Sequence, residues 1–219
     1  YIQDIIEKKV QDDELSKSKI EILSYITKLR QICLDPSIVM DDYKGGSGKI
    51  DALLETVVQS IDEGHKILVF SQFTSVLSNI SKVFKENEVS HYYLDGSTPI
   101  KTRNKIVEDF NKDDTSVFLI SLKAGGTGLN LTSADIVIHF DPWWNPAVED
   151  QATDRAHRIG QKHVVEVIKM ISEGTIEEKI ISLQEEKKNL IDKVVGKDIE
   201  LGENISNLDD EDILALFKR

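Results

Sequence analysis

The chain has 219 residues, which is enough for one sizeable hydrophobic core with helical additions. Its formal net charge of −12 at pH 7 argues against a surface that binds nucleic acid by bulk electrostatics. Much of that charge comes from acidic residues in 200–212, so a local phosphate site elsewhere in the chain is compatible with it.

Several other classes of protein are excluded by composition. The single cysteine, Cys33, rules out an internal disulfide and fits a reducing compartment. The five histidines lack the close spacing of a zinc site, so we expect no structural metal. We also expect no membrane partner, since no apolar run approaches the roughly 20 residues that cross a bilayer. Because the chain starts at Tyr1 rather than Met, we expect it to be a piece of a longer protein.

The order of the predicted elements indicates an α/β fold. Helical periodicity over 17–33 predicts a first helix, which the glycine-rich stretch 43–48 ends. Short β-branched runs then alternate with amphipathic stretches and predict a parallel sheet with helices on both faces. We predict strands over 67–71, 92–95, 117–121, 136–140 and 164–171. We predict helices over 73–87, 99–111 (a capped start at Ser97, Thr98 and Pro99), 175–195 and 209–218.

Unusual residues follow the predicted strands, at the edge where parallel sheets bind ligands. They are Ser71 and Gln72, 95–98, 121–128, and 141–146. The glycines of 123–128 can expose successive N–H groups to a phosphate oxygen. Of the two adjacent tryptophans, we expect Trp143 to fill the core and Trp144 to be exposed, where it could stack on a base or enter a minor groove.

The string EDQATDRAHRIGQ (149–161) is the most informative part of the chain. If it is helical, Gln151, Arg155 and Arg158 stand at i, i+4 and i+7 and form one stripe. An apolar stripe lies about 60° to one side and seats the helix. That second stripe consists of Val148, Ala152, Ala156 and Ile159.

Two readings of the paired arginines are open from their spacing alone. Guanidinium groups suit phosphate chemistry, and an arginine finger accelerates triphosphate hydrolysis by roughly 10³ to 10⁵. Alternatively, Arg155 and Arg158 simply pair with acids on a solvated face, namely Glu149, Asp150 and Asp154.

Two strings mimic the remaining parts of a nucleotide site but fail on spacing. GGSGK (45–49) has Tyr43 where a phosphate loop needs glycine, and Ile50 where it needs Ser or Thr. DEGH (62–65) closes a helix, whereas a magnesium-binding acidic box should follow a strand. The sequence therefore predicts that neither half of a complete nucleotide site is present.

Four ordered motifs resemble the C-terminal motor lobe of the Swi/Snf family of DNA translocases, in a prokaryotic member. They are KILVFSQF (66–73), YYLDGST (92–98), ISLKAGGTGLNLTSADIVIHFDPWWNP (120–146) and DQATDRAHRIGQ (150–161). LRQICLDP (29–36) is similar to the helical segment that joins two lobes, and GTIEEKI (174–180) to the brace after the last motif. The resemblance covers nearly the whole chain and implies a RecA-like lobe with flanking helical segments.

The resemblance also implies roles for individual residues. Arg155 and Arg158 would reach across a cleft to the triphosphate, with Gln151 beside them, and Gly126 and Asp154 would shape the nucleotide site. One DNA strand would be held by its phosphates, and Trp144 would touch the minor groove. The strand-holding residues would be Ser71, Gln72, Gly96, Ser97, Thr98, Lys123, Gly125, Thr127 and Asn130. The family pattern has one Trp here, so it gives Trp143 no role.

The implied enzyme is a DNA-dependent ATP hydrolase made of two lobes. ATP with Mg²⁺ would be bound mainly by an N-terminal lobe that this chain lacks, so we expect no cofactor and no activity in this piece alone. The implied partners are duplex DNA, that lobe and, as a candidate, a DNA-bound protein that the motor remodels. The implied segments are 1–44 (joining helices), 45–172 (the lobe) and 173–219 (brace and acidic tail). The enzyme would act on a prokaryotic nucleoid in the cytoplasm, or in a eukaryotic nucleus.

Two functions other than duplex DNA translocation remain open from the sequence. A strand-separating RNA or DNA helicase would use the same lobe, but it usually has a shorter final motif without the HRIGQ extension or the Trp-Asn-Pro loop. A non-enzymatic interaction module would keep the fold and lose the motor, against which the intact Arg155, Arg158 and Gly126 argue.

Overall fold

Five strands form one parallel sheet in the computed structural model, which describes residues 15–124 and 128–193 and positions 212, 213 and 216. The strands are β1 (Ile67–Ser71), β2 (His91–Leu94), β3 (Val117–Ser121), β4 (Ile136–His139) and β5 (Glu166–Lys169). Their spatial order is β2-β3-β1-β4-β5. Ser71 lies opposite Ser121, and Phe70 lies opposite His139. The predicted parallel α/β sheet is therefore confirmed.

Helices surround this sheet and precede and follow it. They are α1 (Leu15–Leu34), α2 (Gly48–Asp62), α3 (Thr74–Glu86), α4 (Ile100–Lys112), α5 (Pro146–Thr153) and α6 (Ile176–Lys193), with a 3-10 turn at Pro36–Ile38. In the part of the chain that the structure describes, no helix is long and apolar enough to span a membrane.

The two faces of the sheet bury separate hydrophobic clusters. Alternate strand residues such as Val69 and Leu119 pack under α2 and α3, and their neighbours Phe70 and Phe118 pack under α4. β1 and β3 are buried along their whole length, as continuous apolar runs in a two-sided parallel sheet should be. Each such side chain contributes roughly 1.5–3 kcal/mol by leaving water.

A third cluster joins the first and last helices to the lobe. Ile22 and Ile26 of α1 pack with Ile180 and Leu183 of α6, around Trp144. Ile213 and Leu216 complete this cluster. The flanking helices are thus packed against one another and against a loop of the lobe.

Some predicted boundaries differ from the observed ones. β5 is shorter than the predicted 164–171, and its residues are largely exposed. The helix predicted over 99–111 begins at Ile100, and no side chain caps it, because the hydroxyl groups of Ser97 and Thr98 bond instead to Asp95. The helix predicted over 209–218 lies outside the described residues except for 212, 213 and 216.

A buried ion pair ties α6 to α2. The Lys49 ammonium lies 2.6 and 2.7 Å from the two carboxylate oxygens of Glu177, and the side chains are 7% and 1% exposed. Glu177 also accepts a hydrogen bond from the backbone N–H of Ser172. Burial is the largest influence on Lys49 and lowers its pKa, although Glu177 opposes that shift.

We predict that Glu177→Gln lowers the free energy of unfolding by about 3 kcal/mol, because it leaves a buried ammonium without a counter-ion. This deficit should shrink between pH 7 and pH 9, since an unpaired buried amine can then lose its proton on folding. Urea unfolding at several pH values measures both effects.

The matched control for that experiment is Glu108→Gln, which breaks the exposed pair with Lys112 and should leave the urea midpoint unchanged, because solvent screens an exposed ion pair. The double variant Lys49→Met with Glu177→Gln should recover most of the loss. Equal losses in the buried and exposed variants would contradict the assigned role of burial.

Candidate functional site

The parallel direction of the strands brings four loops to one edge of the sheet. Ser71 ends β1 and Gln72 follows it, whereas Gly96, Ser97 and Thr98 follow β2. The exposed Lys123 follows β3, and 140–145 follow β4. Gly125, Gly126 and Thr127 lie outside the described residues. The predicted carboxyl-end edge is therefore where the described candidate DNA-contact residues of these loops lie.

The helix considered over 149–161 is present only in its first part, because α5 ends at Thr153 and Asp154 is its C-cap. The carbonyl oxygen of Arg155 accepts a hydrogen bond from the N–H of Leu131, 3.1 Å away, so it does not continue the helix. Tight turns follow, and Gly160 adopts a φ of +114°, which favours glycine. The second half of this segment is therefore a series of turns, one of which is held by a tertiary hydrogen bond.

The two arginines on this segment have different environments. Arg155 is 3% exposed, whereas Arg158 is exposed and donates from Nη1 to the carbonyl oxygen of Gly128, 3.3 Å away. Gln151 and Asp154 are also exposed.

The apolar stripe predicted beside the arginines is only partly right. Ala152 and Ala156 are buried and Val148 is half-buried, but the side chain of Ile159 is fully exposed. The reason is the early end of α5, since helical spacing no longer relates Ile159 to the residues before Asp154.

Neither arginine forms an ion pair with an acid in the described part of the chain. Burial lowers the pKa of Arg155, and repulsion from the Arg158 guanidinium lowers it further. The Nε of Arg155 is buried without a hydrogen-bond partner. Glu149, one of the acids of the alternative reading, instead pairs with Lys169 and accepts from the N–H of Trp143. The reading in which these arginines are neutralised on a solvated face is wrong.

Hydrogen bonds to two charged side chains, Asp95 and Arg103, fix the turn after β2. The Asp95 carboxylate accepts from the N–H and the hydroxyl of Ser97 at 2.9 and 2.6 Å, and these bonds lower its pKa. From the other side, Arg103 donates to the carbonyl oxygens of Thr98 and Gly96 at 2.7 and 3.1 Å. Gly96 and Ser97 stay exposed at the tip of this fixed turn.

The turn after β1 is held by a buried network. The side chain of Gln72 donates to Asp141 at 2.6 Å and accepts from Arg30 at 3.1 Å. Ser71 is buried, and its hydroxyl accepts from the N–H of Phe73. Asn130 is exposed, with its carbonyl oxygen bonded to the side chain of Asn111.

Both tryptophans are buried. Trp143, 6% exposed, packs in the cluster under α4, as predicted. Trp144 is 7% exposed and packs in the third cluster, so the expectation of an exposed indole is wrong. The physical reason is that α1 and α6 supply the packing partners of Trp144. The sequence of the loop alone does not reveal these partners. A contact of Trp144 with DNA stays a prediction.

Three supporting residues escaped the sequence analysis: Arg30, Arg103 and Asp141. Asp141 lies in the loop 141–146, whose unusual residues are visible in the sequence, but no local pattern indicates which side chains bond to it. Arg103 could have been found as a basic residue in the first turn of a helix, where it would otherwise oppose the dipole. Arg30 had a weaker signal, as a charge among the apolar positions of α1.

Comparison with known proteins bears on this lobe. Residues 48–160 match the helicase conserved C-terminal domain. The chain is 43% identical over 212 residues to an uncharacterized ATP-dependent helicase of Mycoplasma pneumoniae, a match that covers 96% of this chain and 20% of that protein. The chain thus spans about a fifth of the length of the curated relatives it matches.

Two solved structures from Sulfolobus solfataricus are similar as well. The SWI2/SNF2 ATPase core in complex with double-stranded DNA is 34% identical, with a TM-score of 0.75 over 98% of this chain and 45% of that chain. The SWI2/SNF2 ATPase C-terminal domain is 32% identical, with a TM-score of 0.70 over 98% of this chain and 92% of that chain.

The parallel sheet, the loops at its carboxyl edge and the unpaired arginines define a RecA-like lobe of the helicase C-terminal class. With the similarity of its sequence and structure to the SWI2/SNF2 domain, the chain belongs to the Swi2/Snf2 ATPase family as a C-terminal lobe. The family resemblance found in the motifs is confirmed.

We predict that Arg155→Met raises the free energy of unfolding of the chain by about 1 kcal/mol, because it removes a buried cation that has no counter-ion. Urea unfolding measures the change. The control Arg158→Met, at an exposed position, should stay within about 0.5 kcal/mol of the original protein. A clear loss of stability in Arg155→Met would show that its charge is already compensated within the lobe.

Proposed function

We propose that the chain is the C-terminal lobe of an ATP-driven translocase on double-stranded DNA, and that Arg155 and Arg158 complete the ATP site of the other lobe. The observation that carries this proposal is a pair of mutually repelling arginines without an acidic partner in the described residues. A desolvated guanidinium is costly unless an anion meets it, so a phosphate group from outside the lobe suits this position.

The chain's own residues fit one side of an ATP site. The arginines match phosphate oxygens, and the exposed Gln151 and Asp154 lie beside them. The described residues hold no acidic or histidine group arranged for a metal ion. We therefore infer that Mg²⁺ and most of the nucleotide are bound by the N-terminal lobe, and that bound ATP supplies the free energy for movement through hydrolysis of its terminal phosphate.

The edge of the sheet suits one strand of DNA. The fixed turn at 95–98 and the exposed Lys123 lie there, and α3 and α4 begin there with no side chain bonded to their first N–H groups. Such groups hold phosphate oxygens without reading bases. The relative solved with double-stranded DNA supports the choice of duplex. Closure of two lobes around ATP would then move the DNA contacts of one lobe along the strand. The DNA would be chromosomal, in the nucleoid or the nucleus.

We predict that Arg155→Ala and Arg158→Ala each lower DNA-stimulated ATP hydrolysis by about 10³-fold in an ATPase that carries this lobe, because each loses charge stabilisation of the transferred phosphate. The double variant should be little worse than either single variant, since the two groups act on one transition state. Single-turnover hydrolysis at saturating duplex DNA measures the chemical step.

The matched control for the finger variants is Lys82→Ala, which removes an exposed cation from α3 and should leave the rate within twofold. A double variant that keeps more than a tenth of the stimulated rate would refute the finger assignment. Efficient strand displacement by the unaltered enzyme would favour the strand-separating alternative.

We predict that Lys123→Ala reduces the magnitude of the slope of log Kobs against log salt concentration by about 0.9 for duplex DNA, because one phosphate contact is lost. Fluorescence anisotropy over a range of salt concentrations measures the slope. Lys82→Ala again serves as the control with an unchanged slope. An unchanged slope in Lys123→Ala would remove this residue from the DNA surface.

A further inference from the structure

The guanidinium of Arg30 lies fully buried where three segments meet. Its Nη2 donates to the carbonyl oxygen of Pro142 at 2.5 Å, and its Nη1 donates to Oε1 of Gln72 at 3.1 Å. The Asp141 carboxylate lies 3.6 Å from Nη2, and the two side chains are 2% and 1% exposed. A group on α1 therefore bonds directly to the turn after β1 and to the loop after β4.

Aromatic rings confine the same guanidinium. Its central carbon lies 4.8 Å from the centre of the Trp144 ring and 5.4 Å from that of Phe73. A planar, delocalised cation suits such contacts better than a compact ammonium does. Burial lowers the pKa of Arg30 to about 10, although Asp141 opposes the shift.

Gln72 has little freedom once these bonds are made. Its amide nitrogen donates to Asp141 at 2.6 Å, its carbonyl oxygen is taken by Arg30, and its backbone N–H donates to Asp141 at 3.3 Å. One of these three hydrogen bonds comes from α1, which precedes the lobe in sequence. The orientation of the turn therefore depends on where α1 lies.

We propose that Arg30 is a positioning residue, which couples the placement of α1 to DNA binding at the start of α3, because the turn that it holds at Gln72 leads directly into that helix. This inference rests on the proposed function, in which the first N–H groups of α3 hold a DNA phosphate. A guanidinium that spans Gln72 and Pro142 holds the turn in one orientation, and movement of α1 relative to the sheet would release it.

The test uses Arg30→Lys in an ATPase that carries this lobe, because lysine keeps the charge and loses the two-pronged contact. We expect the duplex DNA concentration for half-maximal ATPase stimulation to rise about tenfold, with less than a twofold change in the rate at saturating DNA. Lys28→Met, at an exposed position on the same helix, is the control and should change neither quantity.

A second variant, Gln72→Ala, keeps the proposal testable if Arg30→Lys does not fold, because it leaves the bond between Arg30 and Pro142 in place. It should raise the half-maximal DNA concentration to a similar extent. The double variant should be no worse than either single one, since both remove the same constraint.

The remaining outcomes distinguish failure of the proposed function from failure of the coupling. No DNA stimulation of the unaltered enzyme would refute the proposed function itself. Stimulation with an unchanged half-maximal concentration in Arg30→Lys would refute the coupling alone. Additive effects in the double variant would show that Arg30 and Gln72 act independently and would refute the coupling. Parallel losses of the saturated rate and of the unfolding midpoint in Arg30→Lys would show that Arg30 is only structural.

Discussion

The direction of the five strands is the constraint on which the rest of the structure depends. All of them run parallel, so every chain segment that leaves a strand does so at the same edge. The central strands are buried on both faces and carry almost no polar groups, so chemistry is confined to the residues that follow them. The buried polar residues of β1, β3 and β4 are Ser71, Ser121 and His139, and each stands at the carboxyl end of its strand.

The charges at this edge divide into those that build the site and those that are left for a partner. Asp141 faces Arg30, and Glu149 faces Lys169, so each buried carboxylate of these pairs has a cation close by. Such pairs fix geometry more than they add stability. Arg155 is different, because the charged group that shifts its pKa, the Arg158 guanidinium, repels it. A lobe that buries a guanidinium without a counter-ion is suited to bind an anion that another domain holds.

Sequence reasoning found the elements whose signal is local. β1 and β3 were predicted residue for residue, because each is a continuous apolar run between polar residues. The helix considered over 149–161 stops at Thr153, and the turns that follow are held by a hydrogen bond from Leu131, which the local pattern does not reveal. The role of Arg30 was missed for the same reason, as its partners Gln72 and Pro142 are 42 and 112 positions distant. Patterns report neighbours along the chain, whereas this site is built from neighbours in space.

The adjacent tryptophans show why the flanking helices and the lobe act as one unit. Trp143 packs under the sheet and Trp144 packs between α1 and α6, so one loop is anchored in two clusters. Buried carbonyl groups of that loop depend on the same helices. Arg30 of α1 donates a hydrogen bond to the carbonyl oxygen of Pro142, and Gln184 of α6 donates one to that of Trp143. Without α1 and α6 these carbonyl groups would lose their partners, each at a cost of about 1–3 kcal/mol if they stayed buried. The helices that flank the sheet in sequence are therefore part of the scaffold that orients its functional edge.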